Sequence, residues 1–425
     1  MENKKTYDCI VVGGGLTGCA AAIAAARQGL TVLLIEESGF LGGAASNSLI
    51  YPFMRYRTTA AKGADPADTV LLSRGIFSEI VEELTRRGNG RCFCDEDLKL
   101  LLDEKTEEAG VSVLFHTTVC GAEKENGHIR SVTAVMRGTV MTFSGKYFID
   151  CSGDAALCVL AGVPTHIGRE SDHGCQAMTL CFRMGNVDKA EFFAHKAETD
   201  RKFRAWSEAG KTSNCMDFIL VLDHPLEGVL HFNATRIINR NPVDPFALTD
   251  AEKEGRRQIR EMLRFFREEN IPGMEHAQLL FSAPLIGVRE SRMLTGCHIL
   301  TGEELLRCEK FDDAIAAGAY EIDIHNPNGT GTKQIHIPDG NWYTIPYRSL
   351  LPQESDADNL LAAGRCLSAD HEAQSAVRIM PICCTLGEAA GVGAAAACHA
   401  GTSVQNADIR TIQKILIDSG AFIGT

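Results

Sequence analysis

The sequence predicts an α/β fold in which a parallel-stranded domain, discontinuous in the chain, encloses an inserted α+β domain. Three observations carry this prediction. The chain opens on a short apolar, β-branched run, a glycine-rich turn and an alanine-rich helix, the order of a parallel βαβ unit. Near Gln176 the texture shifts to longer strands and charged helices, and near Asn359 the first texture returns. A length of 425 residues also exceeds what one ordinary hydrophobic core encloses. The expected boundaries are 1–175 with 350–425 for the discontinuous domain and 176–349 for the insert.

Asp8–Val12 reads as a buried parallel strand because it is apolar without alternation. Gly13–Gly18 forms a turn, the alanine-rich stretch to Gln28 a helix with Gly29 as its stop, and Thr31–Ile35 a second strand ending at Glu36. Helices are expected over about Arg74–Arg87, stopped by Gly88, and over Asp95–Ala109, which leads into strand Val111–Phe115. Gly127 and Gly138 mark two turns, and the last strand of that hairpin is Lys146–Ile149. In the insert, Thr249–Glu269 is the clearest helix. Thr249 and Glu252 make a capping box, and Ile259, Met262, Leu263 and Phe266 share one face. Its arginines (256, 257, 260, 264, 267) are interleaved with Glu254, Glu261 and Glu268, which describes a solvated face rather than a basic patch. Asn359–Ala363 is a strand and Gly387–Cys398 the last alanine-rich helix. No internal repeat or low-complexity linker is present.

Composition narrows the function classes. A hydrophobic share of 45% with 23% charged residues is that of a soluble globular protein. The net charge of −13 disfavours a nucleic-acid partner, because phosphate binding needs a basic footprint. Sixteen cysteines are scattered without any C-x-x-C spacing, so neither a zinc ribbon nor a cysteine-ligated cluster is expected, and no metal is. Met1–Asp8 lacks the apolar run of a secretory signal. The apolar stretches Cys19–Ala26 and Ala389–Ala397 are too short to span a bilayer, so a cytoplasmic location and no membrane partner are expected. Gly210-Lys211-Thr212 is not a phosphate loop, since position 205 is Ala where the first glycine belongs.

The strongest motif is Gly13-Gly14-Gly15-Leu16-Thr17-Gly18, a G-x-G-x-x-G set between a strand and a helix. Gly13 permits the tight turn, Gly15 lets backbone approach a pyrophosphate, and Gly18 lets helix and strand pack closely. Glu36, eighteen residues after Gly18, closes the next strand where a carboxylate reaches a ribose hydroxyl pair; Glu37 follows it. The helix N-terminus offers unpaired N–H groups to phosphates. This makes the first domain Rossmann-like. The segment Ser38–Ser46 (SGFLGGAAS) separates FAD from NAD. Gly42–Gly43 lets backbone pass under a second phosphate and ribitol chain, beside Ala44 and Ser46.

Here the chain resembles the bacterial FAD-dependent oxidoreductases of the glutathione-reductase-like superfamily, which are distantly similar to fumarate reductase flavoproteins. The resemblance covers most of the chain. It implies that Val119 contacts the adenine, and that Ser152, Gly153 and Asp154 of IDCSGD (149–154) pack beside the cofactor. GVRESR (287–292), YTIPYRSLLP (343–352), NLLAAGRC (359–366, with Gly364 and Arg365) and RIMPICCTLGEAAG (378–391) also match. In the family the helix beginning near Leu386, with Ala389, points its N-terminus at the flavin pyrimidine and stabilises the anionic reduced ring.

Two features of that superfamily's disulfide reductases are missing. Residues 44–50 (AASNSLI) hold no redox cysteine pair, and no second dinucleotide fingerprint occurs mid-chain. For chemistry, His371 lies in the loop between strand Asn359–Ala363 and the last helix. It either moves the proton that accompanies hydride transfer or is simply bonded to backbone. Arg289 and Arg292, flanking Glu290, and Arg348, after Tyr347, either hold a substrate carboxylate bidentately or form structural ion pairs. His325 carries the same two readings. The expected function is hydride exchange between flavin N5 and a small polar, possibly anionic metabolite, with an unidentified electron acceptor or donor and a possible homo-oligomer. Reduction of an activated C=C bond and an electron-transfer subunit without a small substrate are the alternatives.

Overall fold

The structure, a computed structural model, describes residues 6–65 and 67–424. Strand β1 (Thr6–Val12), helix α1 (Leu16–Arg27) and strand β2 (Val32–Ile35) form the opening βαβ unit. Every side chain of β2 is buried, as a strand covered on both faces requires. A helix over Ile76–Arg86 and helix α2 (Asp95–Glu108) precede β3 (Ser112–Leu114), β4 (Thr118–Glu125), β5 (His128–Met136) and β6 (Thr139–Asp150). The sheet order is β3-β2-β1-β6-β5-β4, and the strand Leu360–Ala362 also joins β6. Strand β6 serves two ladders along its length: Thr139–Ser144 pair antiparallel with β5, while Ser144–Asp150 pair parallel with β1. The two tight turns carry left-handed backbone at Asn126 and Gly127 (φ 49° and 77°) and at Arg137 and Gly138 (φ 47° and 86°). That is the geometry two-residue hairpins demand.

The second sheet comprises β7 (Phe182–Gly185), β8 (Val221–Asp223), β9 (Leu230–Phe232) and β10 (Gln278–Ser282), in the order β10-β7-β9-β8. Helix α3 (Pro245–Glu268) packs on one of its faces. That core draws on Leu49 and on residues 178–286 and is aromatic, with Phe182 stacked on Phe232 at 4.8 Å. Residues from Leu300 to Leu351 contribute instead to the first core, beside β1 and α1.

Helix α3 begins at Pro245, four residues before the expected start. Asp244 is its cap and accepts the Ala247 N–H at 2.7 Å. Proline is tolerated at the first helical position, so the turn before Thr249 is helical. The Thr249 hydroxyl therefore donates back to the Pro245 carbonyl, and Glu252 accepts the Ile286 N–H instead of closing a capping box.

Helix α4 (His371–Val377) and helix α5 (Met380–Ala400) come next, and helix α6 (Ile409–Asp418) packs against α5. Pro381 sits in the first turn of α5. This helix therefore starts seven residues before the expected Gly387, and Leu386 lies inside it. Its 21 residues are long and apolar enough to cross a bilayer, contrary to the shorter estimate from Ala389–Ala397. Within the fold that apolar stretch is 94% buried, and α1 covers it. The two helices touch backbone to backbone. A Cβ on Gly387 would lie 2.0 Å from the Thr17 carbonyl oxygen, and one on Gly391 would lie 2.2 Å from that of Ala21. Because both contacts advance by four residues, α1 and α5 run parallel. Met380 thus projects about 10 Å beyond the level of Thr17 at 1.5 Å per residue.

Candidate functional site

Strands β1 and β6 are neighbours, and their connections leave the sheet differently, the arrangement that opens a crevice at the carboxyl ends of the strands. The turn after β1 and the turn after β6 form its floor. They are pressed together: a Cβ on Gly13 would lie 2.5 Å from the Cys151 carbonyl oxygen, and one on Gly18 would lie 1.8 Å from that of Gly13. Gly15 differs. Its backbone is extended, and a Cβ there would meet only the Gly43 Cα, at 3.7 Å. Gly15 and Gly42 form a parallel bridge, and the Gly42 N–H donates to the Gly14 carbonyl at 2.9 Å. The Gly42–Gly43 segment therefore faces the fingerprint across an open edge. Gly13, Gly15 and Gly43 are half-buried and Ala44 is exposed, whereas Gly14, Leu16, Thr17 and Gly18 are buried.

Polar groups line this edge. Glu36 is 5% exposed and accepts the Gly14 and Ser38 N–H groups at 2.6 and 2.7 Å. Burial raises the Glu37 pKa, and the charges of Glu36 and Asp154 add to the rise. The Ser46 hydroxyl is buried without a hydrogen-bonding partner among the described residues. The Thr117 N–H donates to the Glu36 carbonyl at 3.0 Å and so brings Val119, two residues on in β4, past the same corner.

Asp150, fully buried, builds the turn after β6. One oxygen accepts from the Ser152 N–H and hydroxyl and the other from the Cys158 N–H. Gly153 then takes a left-handed φ of 78°. Asp154 is presented toward Arg365, whose guanidinium donates to it at 2.7 Å and to the Ser291 hydroxyl at 3.0 Å. Gly364 packs so closely on Thr17 that a Cβ would lie 2.5 Å from its hydroxyl oxygen.

Beyond the N-terminus of α5, a second polar group joins the two cores. His371 Nδ1 lies 2.8 Å from Glu290 Oε1, and the other carboxylate oxygen accepts the Gln176 N–H at 2.9 Å. Glu290 is fully buried; the His371 side chain is 12% exposed. Gln374, one turn along α4 from His371, accepts from the Gln176 side chain and donates to the Arg289 carbonyl. The Arg289 guanidinium donates to the Ala177 carbonyl. Burial lowers its pKa to about 9, with the positive charge of Arg378 acting in the same direction. Arg378 approaches Asp323 at 3.8 Å, and its Nε is buried without a partner among the described residues. Asp323 also accepts from Tyr320 and Gln334 and lies 3.4 Å from His325. Burial alone would raise the Asp323 pKa, but the hydrogen bond with His325 and the charge of Arg378 hold it below the usual range. Burial lowers the pKa of His325 to about 3, helped by the Arg289 charge, so its ring is neutral.

The structure thus gathers His371, Arg289 and His325 into one cluster, and it revises three placements. His371 is not in an exposed loop; it opens α4 behind the Asp370 cap and bonds a buried carboxylate. Arg348 joins neither cluster. It pairs with Asp313 at 3.1 Å and lies over Phe311, on the turn whose Tyr347 packs against Gly393, toward the opposite end of α5. Leu386 and Ala389 are fully buried inside α5 because that helix starts at Met380, so the end facing the crevice is Met380–Cys383. Sequence reasoning assigned no role to Asp150, Gln176, Asp323 or Arg378. Arg378 was readable as the residue two turns after His371 on the same helical approach. Asp323 and Gln176 reach the site only through tertiary packing. Among the described residues no group of three or more His, Cys, Asp or Glu is placed to hold a metal.

The chain matches the model of the FAD dependent oxidoreductase family over residues 8–416. It is similar to the aerobic glycerol-3-phosphate dehydrogenase of Bacillus subtilis, 44% identical over 55 residues, 12% of this chain and 10% of that protein. It is similar as well to the digeranylgeranylglycerophospholipid reductase of Methanocella arvoryzae, 26% identical over 183 residues, 40% of this chain and 46% of that one. The chain therefore spans less than half the length of these curated relatives. A solved geranylgeranyl bacteriochlorophyll reductase-like protein of Thermoplasma acidophilum superposes with a TM-score of 0.46 at 15% identity, covering 98% of this chain and 84% of that one. FAD fits the crevice on the structure's own terms. Gly15 leaves the approach of a pyrophosphate open, α1 and α5 direct parallel N-termini to the same side, and the buried Ser46 hydroxyl lacks a partner among the described residues. With the glycine cradle, the Glu36 corner and a family match across nearly the whole length, this chain belongs to the FAD-dependent oxidoreductase family.

Proposed function

We propose that the protein exchanges hydride between flavin N5 and a small polar, anionic metabolite bound in the Arg289–His371 cluster. One observation carries this reading: guanidinium N–H donors there exceed the acceptors that the described residues supply. The Arg289 guanidinium donates to the Ala177 carbonyl and Arg378 Nε has no partner among the described residues, while Asp323 is already engaged by Tyr320 and Gln334 and Glu290 by His371 and Gln176. An anionic group supplied by a substrate balances that surplus, and arginine forks orient a carboxylate bidentately. We place the pyrophosphate across Gly13–Gly18 and Gly42–Gly43, the ribose at Glu36, and the flavin end beside Gly153, Asp154, Arg365 and the start of α5.

FAD, when bound, supplies the two-electron acceptor or donor. The residues supply the rest. With Glu290 as the carboxylate, His371 Nδ1 donates to Oε1 while the Gln176 N–H donates to Oε2, which leaves the imidazole lone pair on Nε2 when the ring acts as a base. Glu290 holds that tautomer and the ring's direction, as an orienting carboxylate does for a general base. His371 Nε2 therefore takes the substrate proton in the oxidative direction and returns one in the reductive direction. The N-terminus of α5 favours negative charge placed before it.

The reading is tested by mixing the deaerated holoenzyme with panels of small hydroxy, amino and unsaturated acids, and with neutral alcohols, amides and enones of the same size, and following flavin absorbance. Bleaching by a hydroxy or amino acid, lost in Arg378→Met at unchanged FAD content, is the expected result. Reoxidation of the reduced enzyme by an unsaturated acid alone identifies the C=C reductase instead. Response to neutral compounds only, unaffected by Arg378→Met, refutes the anionic-substrate reading.

A further inference from the structure

A cavity of about 260 Å³ opens beside the second core, between the first half of α3 and the chain that leaves β9. It has room for several molecules the size of water, each of which takes roughly 30 Å³ in the liquid. Arg236, Arg240, Glu254 and Arg257 supply the charges of its lining, with Ser213 and Cys215 beside them.

Each charge has a definite place. Arg236 is 7% exposed. The buried Gln258 side chain holds its backbone N–H and carbonyl, at 2.8 and 3.0 Å. Its Nε donates to the Gly329 carbonyl at 2.9 Å, and Nη2 donates to those of Gly331 and Asn326 at 2.6 and 3.4 Å. Nη1 donates to no described residue and is not sealed from solvent, so it opens onto the cavity that Arg236 lines. Arg240 is exposed, and its guanidinium bonds the Asn239 carbonyl at 3.2 Å. Glu254, the only carboxylate among the described residues of the lining, is already engaged. One oxygen accepts from Gln258 at 3.0 Å and the other pairs with Arg257. Glu261, two turns on, accepts from Ser213 and Thr212.

Arg257 and Glu254 therefore cancel. Arg236 and Arg240 remain, two guanidinium groups whose hydrogen bonds go to carbonyls alone among the described residues. Burial lowers the Arg236 pKa, with Cys215, Asp217 and Asp323 acting against it. An arginine nonetheless keeps its proton at neutral pH. Two cations with free N–H donors match a dianion rich in acceptor oxygens. A phosphate group carries close to two negative charges at pH 7 and three acceptor oxygens, and guanidinium forks fit it. A carboxylate brings one charge and two oxygens. Half-buried Ile238, in the same lining, offers an apolar wall to the organic part of a phosphate ester.

We propose that this cavity is a binding site for a phosphate group, separate from the Arg289–Arg378 cluster. Arg236 Nη1 and Arg240 hold its oxygens, and the Arg257–Glu254 pair forms the rim. Arg236 also grips the turn between Ile322–His325 and Thr332–Ile335, the hairpin that carries Asp323 and His325. An occupant of the cavity is thus one side chain away from that hairpin.

The test uses the FAD-loaded protein with inorganic phosphate and ethyl phosphate as probes, and chloride at equal ionic strength as the control. Affinity is read by calorimetric titration. Occupancy is read by alkylation of half-buried Cys215 with iodoacetamide, a neutral reagent, followed by peptide mass analysis. Both probes are expected to bind saturably and to slow labelling of Cys215. Arg240→Gln is expected to weaken binding about tenfold or more, the scale of one charge-assisted hydrogen bond, and Arg257→Gln to weaken it by leaving Glu254 without its cation. Arg378→Met is expected to change neither readout, so failure of the anionic-substrate reading is seen separately. Tighter binding of ethyl phosphate assigns the group to a metabolite ester, and equal binding of the two assigns it to the free ion. Protection of Cys215 no greater than with chloride overturns the proposal. So does affinity unchanged in both Arg240→Gln and Arg257→Gln, or binding lost in Arg378→Met.

Discussion

Exchanging Gly15 and Gly18 for alanine, one at a time, separates holding the cofactor from holding the fold. At Gly18 the new Cβ lies 1.8 Å from the Gly13 carbonyl oxygen and 3.3 Å from the Cys151 side chain. The backbone where β1 passes into α1 must open by more than 1 Å, and both contacts close in the same direction. Overpacking of this kind costs about 3 kcal/mol or more. At Gly15 the nearest atom is 3.7 Å away, and φ −66° with ψ 176° suits any residue. The protein without FAD should be unchanged or gain about 0.5 kcal/mol from the stiffer unfolded chain. The methyl group, however, fills the approach of the pyrophosphate. Losing one or two charge-assisted hydrogen bonds there costs about 3 kcal/mol, or more than a hundredfold in affinity. Urea unfolding of the deflavinated variants and fluorescence titration with FAD measure both quantities. Gly15→Ala binding FAD as tightly as the native protein, or Gly18→Ala unfolding at the native urea midpoint, refutes the assignment of these two glycines.

The remaining predictions concern proton and electron traffic. His371→Asn keeps a donor for Glu290, so FAD content and melting temperature should hold while the rate of flavin reduction falls about a hundredfold; stopped-flow absorbance decides, and an unchanged rate with lost FAD makes His371 structural. NADPH and NADH should reduce the flavin slowly or not at all under anaerobic conditions, since one dinucleotide fold is present; rapid saturable reduction contradicts this. Glu388 is 3% exposed, and burial lifts its pKa from 4.5 to about 7, despite the Ile76 N–H it accepts. Between those values the folded protein keeps a proton that the unfolded chain has lost. Its support for stability is therefore complete below pH 4.5 and gone above pH 7. Glu388→Gln should flatten the melting curve against pH across that window and raise stability at pH 8 by up to about 3 kcal/mol; an unaltered pH profile rules the assignment out.

The opening βαβ unit was legible because its constraints are local. Glycines that must touch backbone and an acid that must close a strand leave a spacing that no other residues satisfy. The Asn126–Gly127 and Arg137–Gly138 turns were legible for the same reason, since left-handed backbone is a property of one or two residues. Helix starts were less so. Thr249 with Glu252 mimicked a cap, while Asp244 and Pro245 supplied the real one four residues earlier. Pro381 likewise disguised the first turn of α5. The reactive cluster was half legible. His371 and Arg289 stood out by type, but Glu290 meets His371 across 81 residues of chain, Gln176 meets Gln374 across 198 and Asp323 meets Arg378 across 55, a closeness set by tertiary packing. Arg348 misled because an arginine beside a tyrosine looks alike whether its partner is a substrate or Asp313.

The backbone contact of α1 with α5 also sets a schedule. Thr17 and Ala21 emerge early in synthesis, yet the glycines shaped to receive them, Gly387 and Gly391, follow some 370 residues later. At about 5–20 residues per second the nascent chain waits roughly 20–70 seconds with the buried face of α1 uncovered. FAD therefore meets a finished pocket only after translation has passed residue 391. Until then the alanine-lined side of α1 lacks its native cover, and flavin supply acts on chains that have passed that point rather than on shorter ones.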